Sequence, residues 1–220
     1  YYWISSPVES LRLYQIDRPI ADWHSWRQAD TASVARNFVK DGFNFTMPTF
    51  DDMSSQANGI DNPNRLRFVE FPIYNAVIAA VWIIVGSTEA VYARATTVVV
   101  TLFSTLFLYL IVKKLSGWQT ASLAAFFFAV IPYNVFYSST ILPGPFMVFG
   151  TLGLYYFFLK WLENEKNIVF FVLSVVFANL AILSWPSALF FMLPPVYLVW
   201  QKHGLKALLK PQLWLFAALS

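Results

Sequence analysis

Five side chains able to do chemistry fall within nine residues: Asp22, His24, Arg27, Gln28 and Asp30 in "DWHSWRQADTASVARNF". A carboxylate can take a proton from a hydroxyl, and Asp-x-His, joined by a distant acid, can bind a metal through oxygen and nitrogen. A guanidinium offers a bidentate fork to phosphate. Each has a plainer reading: Asp22 as a helix-flanking cap, His24 as a solvated side chain, Arg27 as the partner of Asp30. Gln28 reads as the second half of a capping box with Ser25, "SWRQ", opening a helix that runs to about Val39 and stops at Gly42. Trp26, Ala29, Val34 and Phe38 give that helix a loosely apolar side, the pattern of a helix lying on a membrane surface.

The chain that positions these groups is oily. Its 220 residues are 58% hydrophobic and 12% charged, against about 25% charged in a soluble domain. Such composition, in long continuous apolar runs, implies an all-α, polytopic transmembrane helical bundle and argues against a β-barrel. Of twelve acidic residues, nine lie before residue 71. No charge occurs from Ala95 to Val112, Leu115 to Leu159 or Asn167 to Gln201. The net charge of +3 comes mainly from loop lysines, so nucleic acid is not an expected partner. The chain has no cysteine, which rules out a thiol nucleophile or thiolate metal site. It reads as a fragment of a longer protein, with Tyr1, Tyr2 and Trp3 as the interfacial end of a preceding helix.

Two regions follow. Residues 1–70 form an outer loop with a juxtamembrane helix, and its stretch 44–70 is rich in turn formers such as Asn58-Gly59 and Asn62-Pro63. Asp51-Asp52 reads as a solvated turn, and Asn44-Phe45-Thr46 as a chance sequon. Residues 71–220 form the transmembrane region, with apolar segments near 71–86, 90–112, 119–141, 145–159, 168–185 and 187–200, and another starting near 212. Lysines 113 and 114, 160 and 166, and 202, 206 and 210 mark alternate turns, which places residues 139–145 and 185–187 outside. Residues 71–86 are short for a crossing, so they are expected to be interfacial or re-entrant, which puts residues 1–70 outside too.

The order of three motifs carries a resemblance over roughly residues 11–150. "DWHSWRQADTASVARNF", then "EFPIY", then "VYARATTVVVTLFSTLFLYLIVKKLSGWQTASLAA" resembles the GT-C membrane glycosyltransferases related to dolichyl-phosphate-mannose protein mannosyltransferases and bacterial aminoarabinose transferases. That resemblance implies a polyprenyl-phosphate-sugar donor, a lipid, glycan or protein acceptor, and an active site facing outward from a bacterial plasma membrane. It implies Asp22 as the catalytic carboxylate and Glu70 as an acidic residue that in some members helps hold a divalent metal, a site that His24, by its own Asp-x-His spacing, would join. Arg94 matches an arginine opening the next helix and, with Arg27, would bind the donor phosphate. Two positions depart from the pattern: Trp23 and His24 follow Asp22 where relatives carry an acid, and Gly144 stands where relatives have an acid after the proline of "ILPGP". In an inverting, single-step transfer one carboxylate accepts the acceptor's proton while cations neutralise the leaving phosphate. The competing classes are a non-enzymatic transporter or flippase, and a structural subunit of a membrane complex. A transporter should carry ionisable residues at mid-membrane, and the central segments hold none.

Overall fold

The computed structural model describes residues 12–14, 16–53 and 61–220. Among the described residues eight α-helices have defined bounds: α1 Ser25–Asp41, α2 Ile73–Val85, α3 Ala90–Val130, α4 Pro132–Tyr137, α5 Pro143–Glu163, α6 Ile168–Ser184, α7 Leu193–His203 and α8 Pro211–Leu219. Short 3₁₀ turns, Pro186–Met192 and Gly204–Leu209, flank α7. Among the described residues extended pairing is limited to one antiparallel bridge, Thr49 with Leu66. The chain divides into two compact units, one built from the chain up to Leu102 with Phe128–Pro145, the other from Phe103–Phe127 with Phe146–Ser220.

Among the described residues two helices are long and apolar enough to cross a bilayer, α3 and α5. α3 is two helices in one line of residues: Gly117 (φ 85°, ψ 171°) interrupts it, so residues 90–116 and 118–130 are separate rods. Only glycine takes that φ without strain, which fixes the break there rather than at the preceding lysines. Ile131 is extended and Pro132 begins α4, so the expected 119–141 segment is broken at its middle, as a residue before proline favours. α2, with 13 residues, is about 20 Å long against a hydrocarbon core of about 30 Å.

In the first unit α1 packs on α2, and its buried residues are half polar, Gln28, Thr31, Ser33 and Asn37, and half apolar, Ala32, Val34, Ala35 and Phe38. The apolar side expected of this helix holds in part: Val34 and Phe38 are buried, while Trp26 and Ala29 are exposed. The polar groups are satisfied locally. Asn75 donates to the Thr31 carbonyl at 2.7 Å, Asn37 to the Thr49 carbonyl at 3.1 Å, and Ser33 Oγ accepts from the Asp51 amide at 3.3 Å. These bonds tie the 44–53 loop to α1, with Phe50 buried beneath the Arg67 guanidinium, 4.9 Å from the ring centre.

The second unit is built on an aromatic core of Phe158, Trp161 and Phe171 with Leu154, Leu162, Ala178 and Val199. At the 163–167 turn, Glu165 accepts from Lys202 at 2.7 Å and also binds Lys210. Burial alone would raise this carboxyl, but the two lysines outweigh it and draw it down to about 2. α5 and α6 approach at glycine: a Cβ on Gly150 would lie 2.6 Å from the Ala181 backbone nitrogen, and one on Gly153 would run into the Phe177 ring. A methyl there has no room, and overpacking costs about 1–3 kcal/mol. Gly150→Ala should lower the melting temperature of the detergent-purified protein by several degrees. Gly144→Ala, where a Cβ meets nothing within 4 Å, should leave it within a degree.

Candidate active site

The candidate site lies in the first unit, at the entrance to α1. Asp22 precedes the helix, and its carbonyl accepts the Ser25 amide at 3.0 Å. His24 is the N-cap residue in the left-handed region (φ 61°), with no side-chain cap. A non-glycine residue there stores about 1–3 kcal/mol of strain, a feature that gathers at functional sites. The turn aims the His24 ring at the Tyr137 hydroxyl, 3.1 Å from Nε2, and stacks it on Trp23 with the planes 2° apart.

The capping box expected of Ser25 and Gln28 does not form. Gln28 is fully buried and turns away from the helix terminus. Its Nε2 donates to Asp22 Oδ1 at 2.6 Å and to the Trp23 carbonyl at 3.2 Å, while its Oε1 accepts the Ile141 amide at 3.2 Å. The tertiary partners outcompete the local one because a buried amide must satisfy both its ends.

The other carboxylate oxygen faces Arg18. Nε lies 2.8 Å from Asp22 Oδ2, an ion pair four residues apart. The two are not aligned as a hydrogen bond, so Oδ2 has no hydrogen-bond donor among the described residues. Arg18 also reaches Ser139 Oγ at 3.4 Å and lies over the Phe136 ring.

Arg94 sits behind this pair, fully buried. It donates to the Ile16 carbonyl at 3.0 Å, to the Arg18 carbonyl, and to the Pro19 carbonyl at 3.4 Å. Where sequence reading expected a phosphate, the structure places three carbonyls of the 16–19 segment. One turn further along, the Thr97 hydroxyl donates to the Thr140 carbonyl at 2.9 Å and meets the Tyr74 hydroxyl at 2.6 Å. The 138–142 turn is thus fixed to both α1 and α3.

Arg27 and Glu70, predicted as a phosphate ligand and a metal ligand, are brought together. Arg27 Nη2 stands 2.5 Å from both Glu70 oxygens, with each side chain mostly shielded from solvent. Asp30 pairs with Arg67 at 2.9 Å rather than with Arg27. Burial raises the Asp30 carboxyl, opposed by Arg67 and then Arg27, and burial likewise lowers Arg67. His24 and Glu70 are engaged with different partners, and among the described residues no three His, Cys, Asp or Glu side chains converge as metal ligands. This arrangement, with Glu70 neutralised by a guanidinium, does not fit a divalent cation held by His24 and Glu70.

Asp22 therefore meets Arg18 and Gln28, neither of which was assigned a role at the site from sequence. Arg18 left a trace, its i, i+4 spacing to Asp22. The partners from the 137–141 turn left none, since more than a hundred residues separate them from α1.

Arg94→Lys separates a clamp from an anion contact. Lysine keeps the charge but cannot span three carbonyls, and a buried acceptor left without a donor costs about 1–3 kcal/mol. A fall of several degrees in melting temperature is expected, with a lower kcat. A raised donor KM at unchanged melting temperature would instead mark direct phosphate binding.

Comparison with curated proteins finds no match, nor does comparison with solved structures. A family match covers residues 63–220, which takes in Glu70, Arg94 and the 138–142 turn and begins after Asp22, His24 and Arg27. With most of its length matched, and with helices apolar enough to cross a bilayer, the chain belongs to the dolichyl-phosphate-mannose-protein mannosyltransferase family and is a GT-C-related membrane glycosyltransferase.

Proposed function

We propose that this protein moves a sugar from a polyprenyl-phosphate-linked donor to a lipid, glycan or protein acceptor at the outer face of a bacterial plasma membrane, through a polytopic GT-C bundle, with inversion at the anomeric carbon. The observation that carries the reading is the Asp22 carboxylate: one oxygen is held by Gln28, and the other, beside Arg18, has no hydrogen-bond donor among the described residues. Oδ2 is buried beside Arg18, so it receives a proton once the acceptor hydroxyl takes the place of the guanidinium Nε next to it.

In the proposed step the acceptor hydroxyl oxygen attacks the anomeric carbon from the face opposite the phosphate. The new carbon–oxygen bond forms as the bond to the phosphate oxygen breaks. The electron pair leaves with the polyprenyl phosphate, and the hydroxyl proton passes to Asp22 Oδ2. A carboxylate is a weak base for an alcohol, so the proton moves late, once the attacking oxygen is already acidified by bond formation. The leaving phosphate gains charge and calls for cations. Arg18 stands beside Asp22, and Arg27 can exchange one Glu70 oxygen for a phosphate oxygen without leaving its pair. Arg94 serves by fixing the backbone that carries Arg18. Membership in a transferase family leaves the transporter and structural-subunit readings without support of their own.

Asp22→Asn keeps the shape and removes the base. Transfer from a polyprenyl-phosphate sugar by the full-length protein in membranes should fall by about 10²–10⁴-fold, the usual scale for a lost general base, at unchanged expression; retained turnover would remove Asp22 from the reaction. The outward orientation has its own check. The chain has no cysteine and Met53 is exposed, so Met53→Cys should react with an impermeant maleimide added to intact cells. Reaction only after permeabilisation would place the site on the cytoplasmic side.

A further inference from the structure

We propose that Gln28 is a positioning residue for the transfer reaction, orienting the Asp22 carboxylate and coupling it to the 138–142 turn; the inference rests on the assignment of Asp22 as the base. Three observations converge on this amide. It is fully buried inside α1. Its nitrogen gives both hydrogens to the entrance segment, one to Asp22 Oδ1 at 2.6 Å and one to the Trp23 carbonyl at 3.2 Å. Its oxygen takes the backbone N–H of Ile141 at 3.2 Å.

The amide has one workable orientation. Turned over, its oxygen would face Asp22 Oδ1 and the Trp23 carbonyl, three acceptors together, while its NH₂ would face the Ile141 N–H. With the orientation fixed, Oδ1 is fixed, and the remaining oxygen of Asp22 is held at one angle. The same turn reaches the other side of the carboxylate, because Arg18 extends to Ser139 Oγ. Residues 139 and 141 therefore steady both neighbours of Asp22, and Thr97 steadies the turn through the Thr140 carbonyl. The glutamine amide donates to the carboxylate and accepts from the backbone amide at once; leucine fills the space and does neither.

Kinetics of the full-length protein in membranes test this, with Asp22→Asn run in parallel. Gln28→Leu should lower kcat per folded molecule by ten- to a hundredfold, with the donor KM changed less than threefold, since the carboxylate loses its orientation and the donor keeps its contacts. Gln28→Glu sets a second carboxyl against Oδ1. The two acids must then share a proton; the singly protonated pair, in which that proton replaces the Gln28 N–H on Oδ1, is the active form, so the acidic limb of the kcat–pH profile should move down by about one pH unit or more. A residue that only fills space would change the yield of folded protein and leave that limb in place. An unshifted limb in Gln28→Glu overturns the proposal, and so does wild-type kcat in Gln28→Leu; should Gln28→Leu fail to fold, the pH profile of Gln28→Glu decides. If Asp22→Asn retains turnover, the base assignment fails and this inference with it. If Asp22→Asn is inactive while both Gln28 variants behave as wild type, the role of Gln28 alone fails.

Discussion

The first unit is organised around a single carboxylate bracketed by an amide and a guanidinium. Asp22 has Gln28 on one oxygen and Arg18 beside the other. Neither neighbour is free to move, because each is held by the 138–142 turn, and Arg94 holds the backbone beneath Arg18. Moving an ionised group out of water is costly unless its charge and its hydrogen bonds are met. Here the two needs are divided between two partners: the cation supplies the charge and the amide supplies the directional bond.

The same division recurs on the flank of α1. Arg27 pairs with Glu70 and Arg67 with Asp30, so two cations and two acids form two pairs. In each, the acid and the cation come from distant parts of the chain, and the pairing brings the 61–70 segment onto α1. Charges that read as separate reactive groups in the sequence are thus partly structural. A guanidinium that already serves a carboxylate is oriented before an anion arrives, so less of its side-chain entropy remains to be lost.

The legible part of the fold was the part governed by composition. The apolar runs of α5 and α6 and the break between the two rods of α3 follow from hydropathy and from loop lysines near them, although Gly117 rather than Lys113-Lys114 makes the break. Pro132, which could be expected to interrupt a helix, does so. What escaped was whatever depended on a partner far along the chain. Ser25 and Gln28 have the spacing of a capping box, and only Asp22 and Ile141 show why Gln28 is used otherwise. Arg94 opens a spanning helix, where an arginine suits a phosphate head group, but its three carbonyl acceptors are more than seventy residues earlier. Thr31, Ser33 and Asn37 are buried on α1 because Asn75 and the 49–51 loop supply their bonds. Motif order pointed to the same enzyme family that the match over residues 63–220 establishes.

Arg94 lies just inside the first rod of α3, a helix of the kind whose tilt answers to bilayer thickness. Its guanidinium grips the 16–19 segment leading to Asp22 through directional bonds to backbone carbonyls. A rotation of that rod would drag the segment with it, like a lever with its short arm at the carboxylate. Arg94 thus makes the opening turn of that rod and the 16–19 segment one mechanical piece, so the aim of the carboxylate is set partly from the helix and not only from its own loop.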